Sequence, residues 1–378
     1  MHLAARAYRN FGRLDVPVPP HGLVIIGENG QGKTNLLEAV AYLALLRSFR
    51  GARDRDVIRF GAPAFHVRAT LSTPAAWRTV SVGYERSSKK KRAILDGVEQ
   101  PRLTNALGAL PSVEFSPADV ALVTGTPGDR RRYLDVMLAL SSPAYLVALQ
   151  QYRAALLRRN AALRTAQREV GRGQEHDARV SVWEPVLAES GGVLVAARYA
   201  FVQAQAAPYA HLCQAIGERE GALLRYTSVG GANNEAQSTS SAAQTDALAG
   251  AYAQQRSHEM RRGVTLVGPH RDELHLHLGG RDLRTFGSAG QQRSAAIALR
   301  LLELATLTDA IGYAPLLLLD DPFAELDLGR VGRVLALLEE AGASQVLLAV
   351  PRDADIPEAF TRLERRTMRD GVLSEGVS

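Results

Sequence analysis

A glycine-rich loop near the start of the chain constrains its fold more than any other stretch. Ile25-Ile26 runs into Gly27-Glu28-Asn29-Gly30-Gln31-Gly32-Lys33-Thr34, the pattern G-x-x-x-x-G-K-[ST], and the helical run Asn35-Leu36-Leu37-Glu38-Ala39-Val40 follows at once. Backbone N–H groups in such a loop converge on phosphate oxygens, and the start of a helix adds a favourable dipole. In that arrangement Lys33 reaches the β- and γ-phosphates of ATP, and the Thr34 hydroxyl ligates Mg²⁺. A turn that binds nothing is the plain alternative. The strand before the loop and the helix behind it count against that alternative.

Composition narrows the class. A chain of 378 residues exceeds one ordinary core, so two domains or subdomains are expected, and 46% apolar with 22% charged residues is a globular mixture. The formal net charge is +6 and the pI 9.6, which tilts towards a polyanionic partner such as nucleic acid, although dispersed surface charge gives the same figures. Lys33, Lys89, Lys90 and Lys91 are the only lysines among 45 basic residues. Where arginine is so preferred, a lysine inside a glycine loop marks a place that needs a compact point charge. The single Cys213 leaves no intrachain disulfide and suits a reducing compartment. No basic-plus-apolar leader and no apolar run near ~18 residues is evident, so a cytoplasmic protein with no membrane partner is expected.

Patterning predicts strands over 3–8, 14–18 and 23–26, a helix over 35–47, and a meander over 65–71, 79–84 and 92–95. The turn Arg86-Ser87-Ser88-Lys89-Lys90-Lys91-Arg92 gathers five positive charges; it is either a solvated hairpin tip or a contact for DNA phosphates. Residues 128–222 are rich in Ala, Leu, Arg and Gln, with breaks expected at 141–143, Gly171, Gly173, Pro185 and Gly191-Gly192. They read as an all-helical insertion. Residues 230–241 read as a mobile polar loop. Strands are expected again at 264–267, 273–278, 315–320 and 344–350, helices at 289–307 and 328–341, and a closing hairpin at the end. His275 and His277 share one face of a strand, where an exposed surface explains them better than a metal does.

Two further motifs define the chemistry. Leu316-Leu317-Leu318-Leu319-Asp320-Asp321 reads as a central parallel strand whose Asp320 holds Mg²⁺. Asp321 stands where ABC-type ATPases carry the carboxylate that polarises the attacking water. The glycine loop and this strand lie almost a chain length apart, yet a P-loop core needs them on neighbouring strands. The helical segment must therefore interrupt the nucleotide fold. Phe286-Gly287-Ser288-Ala289-Gly290-Gln291-Gln292-Arg293-Ser294 precedes a helix and resembles the ABC signature, with Ser288, Ala289, Gly290 and Gln291 at its centre. In that superfamily the signature meets the γ-phosphate held by a second subunit, so ATP joins a head-to-tail pair.

With these motifs in place, the chain resembles the RecF family, the SMC-like ABC ATPases of bacterial recombinational repair. The likeness spans Leu3…Tyr8-Arg9-Asn10-Phe11, the glycine loop, Phe115-Ser116-Pro117-Ala118-Asp119, and Gly128…Arg130-Arg131-Arg132-Tyr133-Leu134-Asp135. It continues through Gly263-Val264-Thr265-Leu266-Val267-Gly268-Pro269-His270-Arg271-Asp272, the signature, and Leu319-Asp320-Asp321-Pro322-Phe323-Ala324-Glu325-Leu326-Asp327. The resemblance implies an α/β fold: an ABC/SMC-like P-loop ATPase head over 1–125 and 263–378, with an inserted all-helical arm over 126–262. It also implies an ATP-dependent homodimer, binding to duplex DNA or single-strand/duplex junctions, and RecR and RecO as partners; the DNA contacts are expected from Lys89, Lys90, Lys91 and Arg92 of the basic turn and from arginines on the dimer's concave face. Asp321 is one methylene shorter than the glutamate common in ABC transporters, so slow ATP hydrolysis is expected. No histidine follows the strand near 346–349; Arg352 and Asp353 are the nearest polar candidates. The turn at 268–272 is either structural, which is preferred, or nucleotide-facing. A transporter ATPase subunit has no use for the basic hairpin, and a monomeric P-loop kinase leaves Ser288 to Gln291 unexplained.

Overall fold

The computed structural model describes residues 1–73, 76–169, 173–232, 239–324, 326–342 and 345–375. Gly171, the centre of the polar stretch at 230–241 and Glu325 lie outside them. The chain forms two compact units, Met1–Asp119 with Glu303–Ser378, and Val120–Leu302.

The first unit opens with β1 (His2–Tyr8), β2 (Phe11–Pro17), β3 (Gly22–Ile26) and α1 (Lys33–Leu45). It continues with β4 (Ala64–Ser72), β5 (Trp77–Glu85), β6 (Lys90–Leu95), β7 (Val98–Glu99) and β8 (Ser112–Phe115). Six of these strands make an antiparallel sheet in the order β2-β1-β4-β5-β6-β7. Alternation gives it two unlike faces. Leu3, Ala5, Val67, Ala69, Val80, Val82 and Ala93 are buried in the core that also takes Leu36, Leu37 and Val40 of α1. Arg6, Arg13, His66, Arg68 and Arg92 point to solvent.

In the second unit, α2 (Ala121–Thr124) is followed by α3 (Pro127–Ser141), α4 (Pro143–Arg168), α5 (Gly173–Ser181) and α6 (Glu184–Ile216). Then come β9 (Ala222–Thr227), α7 (Ser241–Arg262), β10 (Glu273–Leu278), β11 (Arg281–Asp282) and α8 (Leu283–Phe286). Thr126 and Asp129 close a capping box at the start of α3, and Ser142 accepts from the Tyr145 N–H to start α4. Gly191-Gly192 does not break a helix. The pair lies inside α6, where a Cβ on Gly192 would meet Thr245 Oγ1 at 2.3 Å and Ser241 O at 2.8 Å, so glycine permits α7 to approach. The helices are also not alone, because β11-β10-β9 form a three-stranded sheet in the same unit. The strand expected at 264–267 is absent. Its polar groups bond to side chains instead of a ladder: Thr265 N–H to Asn160 Oδ1 at 2.8 Å and Leu266 N–H to Glu259 Oε1 at 2.6 Å. By length and composition alone, one helical stretch (175–216) would be long and apolar enough to cross a membrane, a length not expected from the sequence. Leu187, Leu194, Val195, Phe201 and Val202 of that stretch are buried in this structure.

Helix α9 (Ala289–Ile311) leads back to the first unit, which ends with β12 (Leu316–Asp320), α10 (Leu328–Glu340), β13 (Val346–Val350), β14 (Glu364–Arg369) and β15 (Val372–Glu375). These strands join β3 and β8 in a second sheet, β15-β14-β3-β13-β12-β8, parallel from β14 to β8. Here the sequence reading needs correcting. Strands β3 and β12 are not neighbours, because β13 lies between them and pairs with both. Thr34 reaches Asp320 because α1, on which it sits, packs against both β12 and β13.

Candidate functional site

The site forms where β3 turns into α1. Gly32 adopts φ +115°, and a Cβ there would meet Asn10 Nδ2 at 2.5 Å, so only glycine suits both the backbone and the neighbour. The loop is held from outside. Asn10 Nδ2 donates to Gln31 O at 3.0 Å, and its Oδ1 accepts from Asn35 Nδ2 at 2.8 Å. The β14–β15 turn holds Gln31 from the other side, with Asp370 N–H donating to Oε1 at 2.6 Å and Gly371 N–H to the carbonyl at 3.0 Å.

Lys33 is buried, and its ammonium donates to the carbonyls of Gly27 and Glu28, the latter at 2.9 Å. Burial pulls its pKa below the ordinary lysine value, with Asp320 and Asp321 opposing. Thr34 Oγ1 donates to Asp320 Oδ2 at 2.8 Å, joining residues 286 positions apart. Burial raises the Asp320 pKa, while the Thr34 hydrogen bond and Lys33 oppose. Asp321 follows with φ 47°, a left-handed conformation uncommon for a residue with a side chain, and its N–H donates to Ala349 O at 2.9 Å. A cavity of about 300 Å³ is lined by Asn29, Gly30, Gly32, Lys33, Thr34 and Asn35, and beyond them by Arg50, Asp320, Asp321 and Pro351.

Thr34 and Asp320 place two hard oxygen donors side by side at the wall of that cavity, which suits Mg²⁺. A cation there would also offset the burial of the Asp320 carboxylate. Arg50 was not anticipated. It follows α1 in a stretch without a motif, and only the fold brings its guanidinium to the cavity, where it donates to Asn35 Oδ1 at 3.3 Å. Arg352 and Asp353 are engaged elsewhere, the first with Asp355 at 2.9 Å and the second with Arg365 at 3.0 Å.

Ser288, Ala289, Gly290 and Gln291 belong to the second unit. Ser288 N–H donates to Gln291 Oε1 at 2.9 Å, and Gln291 N–H donates to Ser288 Oγ at 3.3 Å. This reciprocal pair is a capping box that starts α9 with Ser288 exposed. Asp327 caps α10 in turn, accepting from Arg330 N–H at 2.9 Å.

The basic hairpin differs from its expected form. Strand alternation turns Lys91 inward, to 12% side-chain exposure. Its ammonium donates to Leu46 O and, at 2.9 Å, to Asp54 Oδ1, and lies 4.8 Å from the Tyr42 ring centroid. Burial lowers its pKa, with Asp54 opposing. Arg86, Lys89, Lys90 and Arg92 remain exposed, with Arg92 3.6 Å from Glu99.

The turn at 268–272 is built into a buried network. Arg198 donates to Asp135 Oδ1 at 2.7 Å, to Tyr145 Oη at 3.0 Å and to Pro269 O at 2.8 Å. Asp272 accepts from Tyr226 Oη and, at 2.7 Å, from Val229 N–H. His270 Nδ1 lies 2.6 Å from Tyr152 Oη, and burial lowers the histidine pKa to about 4. The Pro269 carbonyl and the His270 and Asp272 side chains are therefore occupied structurally.

The family model of the RecF/RecN/SMC N terminal domain matches residues 1–373. A DNA replication and repair protein RecF from Streptomyces avermitilis is 37% identical over 377 residues, 98% of each chain. The chain belongs to the RecF family. A second relative, the DNA replication and repair protein RecF of Halalkalibacterium halodurans, is 35% identical over 338 residues, 89% of each chain. Among solved structures, the recombination mediator protein RecF with ATP in the RecFOR pathway superposes with TM-score 0.89 at 26% identity, over 100% of this chain and 97% of that one. An Smc head bound to the C-winged helix domain of ScpA gives TM-score 0.54 at 16% identity over 98% and 95%, a likeness of fold. The fold is that of an SMC/ABC-type ATPase.

Proposed function

We propose that the chain is a cytoplasmic DNA replication and repair ATPase that binds ATP and Mg²⁺, dimerises head to tail around the nucleotide, and hydrolyses it slowly while engaging DNA. The observation that carries this reading is the hydrogen bond from Thr34 to Asp320 at 2.8 Å, which assembles both halves of a nucleotide site from opposite ends of the chain. Gly27 to Gly32 would cradle the phosphates with backbone N–H groups. Lys33 would exchange its two carbonyl partners for phosphate oxygens, and Thr34 and Asp320 would hold Mg²⁺, which supplies charge neutralisation at the phosphates. Asp321 would orient the attacking water. Ser288 to Gln291 of a second copy would close the site, the exposed helix start of α9 meeting the γ-phosphate.

DNA, duplex or at single-strand/duplex junctions, is the proposed polyanionic partner, and the RecFOR context of the solved relative favours RecR- and RecO-like mediators as protein partners. At the hairpin, Lys89, Lys90 and Arg92 are the proposed contacts, and Lys91 supports them from inside. Sedimentation with and without ATP and Mg²⁺ tests the core of the reading. A dimer that forms only with nucleotide is expected; a persistent monomer at saturating ATP would overturn it. Binding to a gapped duplex should weaken steeply with salt and depend little on sequence.

A further inference from the structure

Strand register assembles a line of cations that no local motif announces. Across the antiparallel sheet of the first unit, Arg13 on β2 lies opposite Arg6 on β1, and Arg6 lies opposite His66 on β4. His66 lies opposite Gly83 on β5, and Gly83 opposite Arg92 on β6. Directly opposed residues share a face, so this row crosses five strands on the solvent side, with Arg68 in the next row along β4. At ~4.8 Å per strand the row is about 19 Å long. All five side chains are exposed.

Like charges directly opposite one another on a sheet are destabilising, and sheets ordinarily intersperse carboxylates to avoid this. Among the described residues, Arg6, Arg13, His66 and Arg68 form no ion pair, and Asp15, one row away, is taken by His2 at 2.7 Å. Among the described residues of this row Arg92 alone is ion-paired, to Glu99 at 3.6 Å, and the carboxylate of Glu85 stands in the next row on β5. The field is felt by His66, whose pKa is lowered by burial and then by Arg6 and Arg68. At the centre of the row Gly83 offers no side chain, which leaves the sheet open to a close approach.

We infer that this sheet face is a track for the phosphate backbone of duplex DNA, with Arg6, Arg13, Arg68 and Arg92 as its cations and the neutral His66 ring as a hydrogen-bond donor between them. The inference rests on the DNA-binding reading above and places most of the contact on the sheet instead of the hairpin tip. A duplex fits the chemistry: over ~19 Å one strand presents about six phosphates at ~3.4 Å of axis each. His66 is the one ring among the five positions, so successive bases have no row of stacking platforms there, unlike a single-strand groove. Phosphate contacts of this kind orient DNA without reading sequence.

The test uses the full chain with ATP and Mg²⁺, and fluorescence anisotropy of a labelled blunt duplex over a salt series. The triple variant R6S/R13S/R68S should lower the slope of log K against log salt by about 2.7, at ~0.9 for each lost phosphate contact, and weaken binding about tenfold or more. Binding of a fluorescent ATP analogue should be unchanged, which also reports folding. A second variant, Gly83→Glu, keeps every cation and sets a carboxylate in the middle of the row. Its Cβ would lie 3.4 Å from Phe65 O and 3.5 Å from His66 Cδ2, so the chain has room for it. It too should weaken the duplex complex. An unchanged slope and affinity in both variants would overturn the track. So would variants that keep duplex binding but lose poly-glutamate binding, which would assign the face to an acidic protein. A wild-type chain that binds no duplex at all would instead overturn the DNA-binding reading beneath it.

Discussion

The two units treat buried charge in opposite ways. In the first, burial pushes Lys33 and Asp320 towards their neutral forms, and the cavity wall beside them has room for further ligands. In the second, Arg159 has no exposed side-chain surface and is enclosed by Glu259 at 2.6 Å, Glu184 at 2.8 Å and Thr265 at 3.0 Å, while Arg256 reinforces Glu184 at 2.7 Å. Arg198 is enclosed likewise by Asp135, Tyr145, Tyr226 and Pro269. A buried ion pair gains little over apolar packing, but removing one member leaves a charge stranded. The second unit therefore uses its charges to specify how α4, α6 and α7 meet. At its cavity the first holds Lys33 and Asp320 incompletely neutralised, in a form that a phosphate and a cation would complete.

The sharpest way to break this contrast is at the signature, the one exposed helix start in the second unit to which the proposal assigns a ligand. Ser288→Arg should abolish ATP-induced dimerisation and leave nucleotide binding by the monomer intact; normal dimerisation in sedimentation would refute the composite site. Next in size, Arg159→Met strands the Glu259 carboxylate, while Glu184 keeps Arg256, and should cost about 3–5 kcal/mol in a denaturant melt. A loss under about 1 kcal/mol would show that the network is not closed as described. Lys33→Arg keeps the charge but not the compact ammonium, and hydrolysis should fall about tenfold or more, near 1.4 kcal/mol. Unchanged turnover would remove Lys33 from the site.

The smallest effect concerns Asp320. Its carboxyl pKa is raised in the folded chain above the ordinary aspartate value, so the folded state binds the proton more tightly than the unfolded one. Its contribution to stability is present below that value and is lost as pH rises through the folded pKa. At neutral pH, Asp320→Asn should therefore stabilise the nucleotide-free protein, by about 0.5–2 kcal/mol, while hydrolysis falls. A thermal melt showing destabilisation would mean the carboxylate is well satisfied without a cation.

Much of this was legible in the residues because it is local. A strand, a glycine loop and a helix occur in one run from Ile25 to Val40, and Leu316 to Asp320 declares a buried parallel strand by composition alone. The capping pairs Thr126 with Asp129 and Ser288 with Gln291 follow from spacing of three. What failed was whatever depended on a distant neighbour. Gly191-Gly192 looked like a break because nothing local shows that α7 needs the space, and Val264 to Val267 looked like a strand because its side-chain partners, Asn160 and Glu259, come from other helices. Lys91 counted as a tip charge until strand alternation turned it towards Asp54.

By itself, then, the sequence determined the glycine loop and the acidic strand end, which each rest on residues within one turn or one strand, and the basic character and the family, which are sums of composition and motifs along the chain. Tertiary structure alone decided that β13 separates β3 from β12, that Arg50 reaches the cavity lined by Lys33 and Thr34, and that Arg13, Arg6, His66 and Arg92 stand in one row. Strand order and register are set by pairing between segments far apart in the chain, and no local pattern encodes them.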